Sequence, residues 1–271
     1  MAIVRDMNTI VGSHDILLLT LDTLRYDVAE RLMAEGRTPG FARFLTWERR
    51  HSPGSFTFAS HAAMFAGFLP TPVTPGPHTR PFAASFPGSA TTSPRTWVFD
   101  APDLPAGLAK AGYRTVCVGG VGFFNRLSPL GSVLPDLFQE SHWTPGFGVT
   151  APDSFERQLD RAEEVLDGVP EPVFLFLNVS ALHQPNRFYL PGAADDSIES
   201  HAAALEYVDR HVARLFALMT RRRPCFVIVC SDHGTAYGED GHVGHRLAHE
   251  VVWTVPYAEF VLDRSSDDQS V

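Results

Sequence analysis

The feature that most constrains this chain is an apolar run, Val227-Ile228-Val229-Cys230, that leads straight into Ser231-Asp232-His233-Gly234. A buried strand that delivers a carboxylate and an imidazole to a turn presents two metal ligands at the edge of a sheet. That pairing suits zinc, manganese or iron better than calcium. A second run, Ile16-Leu17-Leu18-Leu19-Thr20-Leu21, ends in Asp22-Thr23. A carboxylate left unpaired at the end of a buried strand costs several kcal/mol, so a cation or a hydrogen-bonding ligand is expected. The plainer alternative makes Asp22 or Thr23 the cap of a helix from Leu24 to Glu35. Two such strand ends in one chain favour a shared site.

A chain of 271 residues is long enough for a sizeable core, and it reads as one domain over 1–263 with a flexible tail at 264–271. The formal charge of −9 excludes nucleic acid and anionic membrane as main partners. The basic run Arg221-Arg222-Arg223 falls at the C-terminal end of a predicted helix, where positive charge is favourable, and reads as structural. The first residues lack the apolar run of a signal peptide, and no apolar stretch reaches the length of a membrane span. Cys117, Cys225 and Cys230 read as buried thiols of a reducing compartment, and the expected location is cytoplasmic.

Short apolar strands near 15–21, 113–118, 172–179, 225–230 and 255–262 alternate with helical patterns at 24–35, 154–167 and 197–220. Val173–Leu177 and Phe226–Val229 are nearly unbroken apolar runs, as strands covered on both faces require. The alternation predicts an α/β fold: a doubly wound, mainly parallel sheet with helices on both faces. Ligands in such sheets bind beyond the carboxyl ends of the strands, where Asp22 and Asp232 fall. Residues 70–100 carry seven prolines and no period, and read as an irregular insert, a functional loop or lid or else a disordered segment.

A third element is Ser55-Phe56-Thr57-Phe58-Ala59-Ser60-His61-Ala62-Ala63-Met64-Phe65-Ala66-Gly67. Ala-rich helical spacing after Thr57 sets its hydroxyl at a helix N-terminus, beside free N–H groups. The commonest job for such a Thr is an ordinary N-cap. Taken together, the segments resemble the alkaline phosphatase superfamily, and its sulfatase-like branch in particular. LLLTLDTLRYD resembles the opening strand with its first metal-binding Asp, and TFASHAAMFAGFLP the nucleophile segment. FLFLNVSALHQP resembles the strand that brings Asp-x-His-x-Pro, and VIVCSDHGTAYGEDGHVGH…VPYAEF the metal-binding end.

The resemblance implies a catalytic core in which Asp22, Thr57, Asp232 and His233 hold a divalent metal, zinc or manganese ahead of calcium or magnesium. Thr57 would be the nucleophile, its hydroxyl activated by the metal. His183 and His245 would bind a second metal or the anionic oxygens of the substrate. Asn178 and His242 are candidate substrate contacts, with His249 in reserve. His61 stands where the family has an Arg or His touching nucleophile or substrate.

Three departures shape the expected chemistry. A Thr at the nucleophile position cannot become the formylglycine of true sulfatases, which points to phosphate or phosphonate esters. Ala181 stands where the family has an Asp, so a second metal would need Asn178, Ser180 or Asp195 in its place. Typical relatives carry a further C-terminal subdomain that walls the pocket, and with the sequence stopping just past the Val-Pro strand, the insert or a partner protein is expected to take that role. Short sulfatase-like chains of this form are bacterial companions of biosynthetic enzymes, implying a small-molecule or peptide-borne anionic ester. The sequence supports a metal-dependent hydrolase or group-transfer enzyme; a non-catalytic metal-dependent binding protein is the alternative.

Overall fold

The computed structural model describes residues 5–87 and 92–264; the expected tail at 264–271 lies, from 265 on, outside the described residues. In chain order its strands are β1 (Asp15–Leu21), β2 (Glu48–His51), β3 (Thr71–Pro72), β4 (Phe82–Ala84), β5 (Trp97–Phe99) and β6 (Arg114–Val118). They continue with β7 (Glu140–His142), β8 (Val173–Val179), β9 (Cys225–Cys230), β10 (Ala236–Tyr237), β11 (Val243–Gly244) and β12 (Thr254–Leu262). Eight of them form one sheet in the order β3-β2-β12-β9-β1-β8-β6-β7. The run from β9 to β7 is parallel, while β12, β2 and β3 add on antiparallel pairings at one side, so the sheet is mixed.

The central strands are buried at every position and mostly apolar because both faces are covered, and each face takes alternate residues. Leu17, Leu19, Leu175, Leu177, Val227 and Val229 pack on one side, beneath the helices Tyr26–Ala34, Ser154–Leu166 and Ile198–Arg222. Ile16, Leu18, Phe174, Phe176, Phe226 and Ile228 pack on the other, with Met64 and Phe65 of the helix Thr57–Phe65. On that helix Thr57, Ser60, His61, Met64 and Phe65 are buried, a one-sided stripe that turns Thr57 inward with its neighbours.

The register sets the site. Leu18 lies opposite Ile228 and Thr20 opposite Cys230, so two residues further on Asp22 meets Asp232 on the face that carries the Thr57 helix. On the other flank Thr20 lies opposite Asn178.

The basic run is absorbed by the fold. Arg222 pairs with buried Asp15 at 2.9 Å and donates to the carbonyls of Leu166, Val169 and Glu171, while Arg221 pairs with Glu163. The Pro-rich insert is more ordered than its composition predicts. β3 extends the main sheet, β4 and β5 pair in parallel, and Phe82 and Phe99 enter the core. Buried aromatics anchor what prolines alone suggest to be loose. Among the described residues no helix is long and apolar enough to cross a membrane, and Cys117, Cys225 and Cys230 are free and buried.

Candidate active site

Asp22 follows β1 and is fully buried. It caps no helix: the next helix begins at Tyr26, and no side chain caps it. One Asp22 carboxylate oxygen, Oδ2, accepts from Asn178 Nδ2 at 3.1 Å and from the Thr57 hydroxyl at 3.4 Å. Thr23 takes a left-handed backbone (φ 65°), uncommon for a β-branched residue, and so turns its N–H onto Asp232 Oδ1 at 3.2 Å. The Ser60 hydroxyl donates to the Asp232 carbonyl at 2.7 Å, tying the Thr57 helix to the end of β9.

His233 donates from Nδ1 to the Gly234 carbonyl at 2.9 Å, which fixes the ring and leaves Nε2 facing Thr57 Oγ1 at 3.3 Å. Residue 234 must be glycine, since a Cβ there would collide with the Val251 carbonyl oxygen. Thr57 is the first residue of its helix and does not cap it; that position belongs to Phe56.

One ligand atom from each of Asp22, Asp232 and His233 lies within 4.8 Å of the others, the sole such cluster of three or more among the described residues. Asp22 Oδ1 and Asp232 Oδ2 are buried and accept no hydrogen bond. Burial, and for Asp22 also its acidic neighbour Asp232, pushes both carboxyls well above the usual range. Two orphaned carboxylate oxygens, a free imidazole nitrogen and a hydroxyl make a donor set that fits one divalent cation.

His61 is fully buried beneath Thr57. Its Nδ1 donates to the Thr57 carbonyl at 2.8 Å, and its Nε2 lies 3.1 Å from Thr20 Oγ1. Burial holds its pKa down to about 3, so the ring is neutral and props the helix start rather than meeting substrate. Asn178 stands behind Asp22: Nδ2 also donates to Thr20 Oγ1 at 3.3 Å, and Oδ1 accepts from the Val121 N–H at 3.1 Å. It is a positioning residue, absent from the cavity wall.

Above the buried cluster opens a cavity of about 680 Å³ with Thr57 in its lining. His183 and His245 face each other on its wall, ring centres 5.4 Å apart, and His245 lies 4.7 Å from the His233 ring. Burial, then the neighbouring His233 and His183, lowers the His245 pKa to about 3. Neither Ser180 nor Asp195 supplies the pair with a further ligand: Ser180 donates to the Phe147 carbonyl, and Asp195 is exposed. His242 is exposed and off the cavity, and His249 caps a short helix at Val251 while its other nitrogen meets Asp240.

The insert contributes none of its described residues to the cavity, against the expectation that it walls the pocket. Segments 121–131 and 244–246, with Val149, His183 and Gln184, do so instead. Phe123 lines the cavity, whereas Phe124 is core. The sequence reading also missed Thr20, Leu130, Val149 and Arg246. Strand alternation through Asp22 flags Thr20, and adjacency to His245 flags Arg246; nothing in the sequence brings Leu130 or Val149 here.

The sulfatase family model matches residues 14–258, nearly the whole described chain. The chain belongs to the sulfatase family. Members of that family are hydrolases or transferases that bind a divalent metal. Among curated proteins none matches the chain in sequence. The sulfatase-family core is shared with solved structures of low identity. One is the C-terminal periplasmic domain of phosphoethanolamine transferase EptC from Campylobacter jejuni, at 15% identity and TM-score 0.60, covering 95% of this chain and 81% of that one. Another is the soluble domain of lipooligosaccharide phosphoethanolamine transferase A from Neisseria meningitidis, at 15% and 0.57, covering 92% and 77%. A third is the C-terminal periplasmic domain of EcEptC from Escherichia coli, a complex with Zn, at 14% and 0.60, covering 95% and 74%.

Proposed function

We propose that the protein is a metal-dependent hydrolase or group-transfer enzyme acting on a phosphate or phosphonate ester, with Thr57 as nucleophile. The observation that carries this reading is the Thr57 hydroxyl. It lies 3.4 Å from Asp22 and 3.3 Å from His233 Nε2, in the lining of a cavity large enough for a small organic ester. Phosphoester transfer in proteins of the same fold supports it.

Asp22, Asp232, His233 and Thr57 would hold the ion, and two carboxylates with an imidazole favour zinc or manganese over calcium or magnesium. When bound, the ion supplies Lewis-acid stabilisation of developing charge and lowers the pKa of the hydroxyl. Thr57 Oγ1 attacks phosphorus as its proton passes to water in the cavity; the ester P–O bond breaks, and the departing alkoxide takes a proton from that water and leaves as the alcohol. A water, or an acceptor hydroxyl in a transferase, then attacks the same phosphorus and releases Thr57. His183 and His245 orient the phosphoryl oxygens by hydrogen bonding. His61 and Asn178 keep Thr57 and Asp22 in place. The substrate is a small-molecule or peptide-borne anionic ester, without nucleic acid or membrane. The three buried thiols support a cytoplasmic location, which fractionation of the producing cell tests against the periplasmic setting of related domains.

The deciding experiment compares wild type with Thr57→Ala. Turnover of phosphate esters is expected to fall by on the order of 10³-fold or more while the fold and bound metal are retained. Unchanged turnover removes Thr57 from the mechanism. A second reading, a non-catalytic metal-dependent binding protein, draws on one observation: among the described residues His183 and His245 belong to no cluster of three or more metal-ligating groups. One equivalent of metal and no turnover across a broad ester panel would favour it.

A further inference from the structure

The cavity lining carries two kinds of side chain: His183, Gln184, His245 and Arg246 are polar, and Val121, Phe123, Leu130 and Val149 are apolar. Phe123 packs against Phe56 and Phe58, at 6.3 and 5.8 Å between ring centres. Leu130 remains 50% exposed and Leu127, beside it, 73%, so apolar surface continues outward over the rim. No acidic side chain lines the cavity above the buried cluster, and Arg246 adds positive charge.

Resting on the proposed group-transfer reading, we infer that the alcohol portion of the substrate is apolar and uncharged, an aryl or branched aliphatic group seated against Phe123, Leu130 and Val149. The anionic end of such an ester belongs beside the imidazoles and Arg246, its organic end on the apolar residues of the lining. An ammonium-bearing alcohol finds no carboxylate there and meets a guanidinium. A sugar or polyol would leave hydroxyls facing Phe123, Leu130 and Val149, and among the described lining residues segment 121–131 adds only Ser128 as a polar side chain, so unpaired hydroxyls weaken binding. An apolar ring gains by leaving water on the same surface.

The test measures binding of benzylphosphonate and 2-aminoethylphosphonate to the metal-loaded protein by calorimetry, alongside turnover of benzyl phosphate and phosphoethanolamine. Benzylphosphonate is expected to bind on the order of 10- to 100-fold more tightly. Leu130→Asp, at a half-exposed position that tolerates a charge, is expected to remove most of that ratio, as is Phe123→Ala. Equal affinities, a preference for the ammonium compound, or a ratio untouched by both substitutions overturns the inference. Turnover without preference leaves the group-transfer reading standing and rejects the apolar seat. Preference in binding without any turnover does the reverse.

Discussion

The floor of the cavity and its walls are built in opposite ways. Every floor residue sits at a strand end or in the first turn of a buried helix: Asp22 after β1, Asp232 and His233 after β9, and Thr57 at the start of its helix. Each is locked by at least one further contact, Asn178 to Asp22, Thr23 and Ser60 to Asp232, Gly234 to His233, His61 to Thr57. The walls come from loops and short helices, and Leu130, His183, His245 and Arg246 keep part of their surface in solvent. Rigid strand ends hold a charge-dense site in one geometry, while loops can change the shape of what enters without disturbing it.

If that division is right, the largest effect should come from the floor. Asp232→Asn is nearly isosteric yet removes one ligand charge, and is expected to abolish metal binding and to cut turnover on the order of 10³-fold; metal analysis and kinetics check both. In metal-free protein the same substitution should have a second signature. Because burial raises the Asp232 carboxyl above its unfolded value, stability is full at low pH and is lost as pH rises through the folded-state pKa near 7. Thermal unfolding of the metal-free wild type should therefore weaken between about pH 4 and pH 7, and the Asn variant should show a flatter profile. Parallel profiles would mean the floor carries no such charge strain.

A second buried histidine, outside the floor, sharpens the contrast. His201 in the helix Ile198–Arg222 lies 3.1 Å from the Tyr237 hydroxyl and 3.4 Å from the Arg25 N–H, and so ties the 236–244 hairpin to the body. Burial, helped by Arg25, lowers its pKa to about 4. The unfolded chain takes up this proton first, so stability is lost as pH falls from about 6.5 towards about 4, by up to roughly 3 kcal/mol. His201→Gln should remove that part of the acid sensitivity, read from melting temperatures across the range. An unchanged slope would show that His201 does not control it.

The smallest effect should come from the wall. His183→Ala is expected to leave the bound metal unchanged and to reduce kcat/KM by about 10- to 100-fold, through loss of hydrogen bonding to the transferred group. A fall from two equivalents of metal to one would break the comparison, because the wall would then be holding an ion of its own.

Much of the floor was legible in the sequence because β pairing is local in pattern even when distant along the chain. The runs ending at Asp22 and Asp232 declare their own burial, and both strands form as read, within a residue. The Thr57 segment was legible through its small, one-sided helix. What could not be read depends on packing between loops. Nothing in Leu130 or Val149 marks a cavity wall; their placement follows from how residues 121–149 fold back over the sheet. Asn178 and His61 were found but given a closer seat to substrate than they have. A residue type names its chemistry, but not which side of the carboxylate it stands on.

The one-to-one pairing between β1 and β9 has a consequence for how such a chain can diverge. Leu, Ile, Val and Phe can replace one another along either strand without moving Asp22 or Asp232, so substitutions can accumulate while the ligand pair stays opposed. A single inserted or deleted residue in either strand would rotate one carboxylate to the far face and separate the pair. Lineages of this protein are therefore free to change the spelling of these strands but not their length.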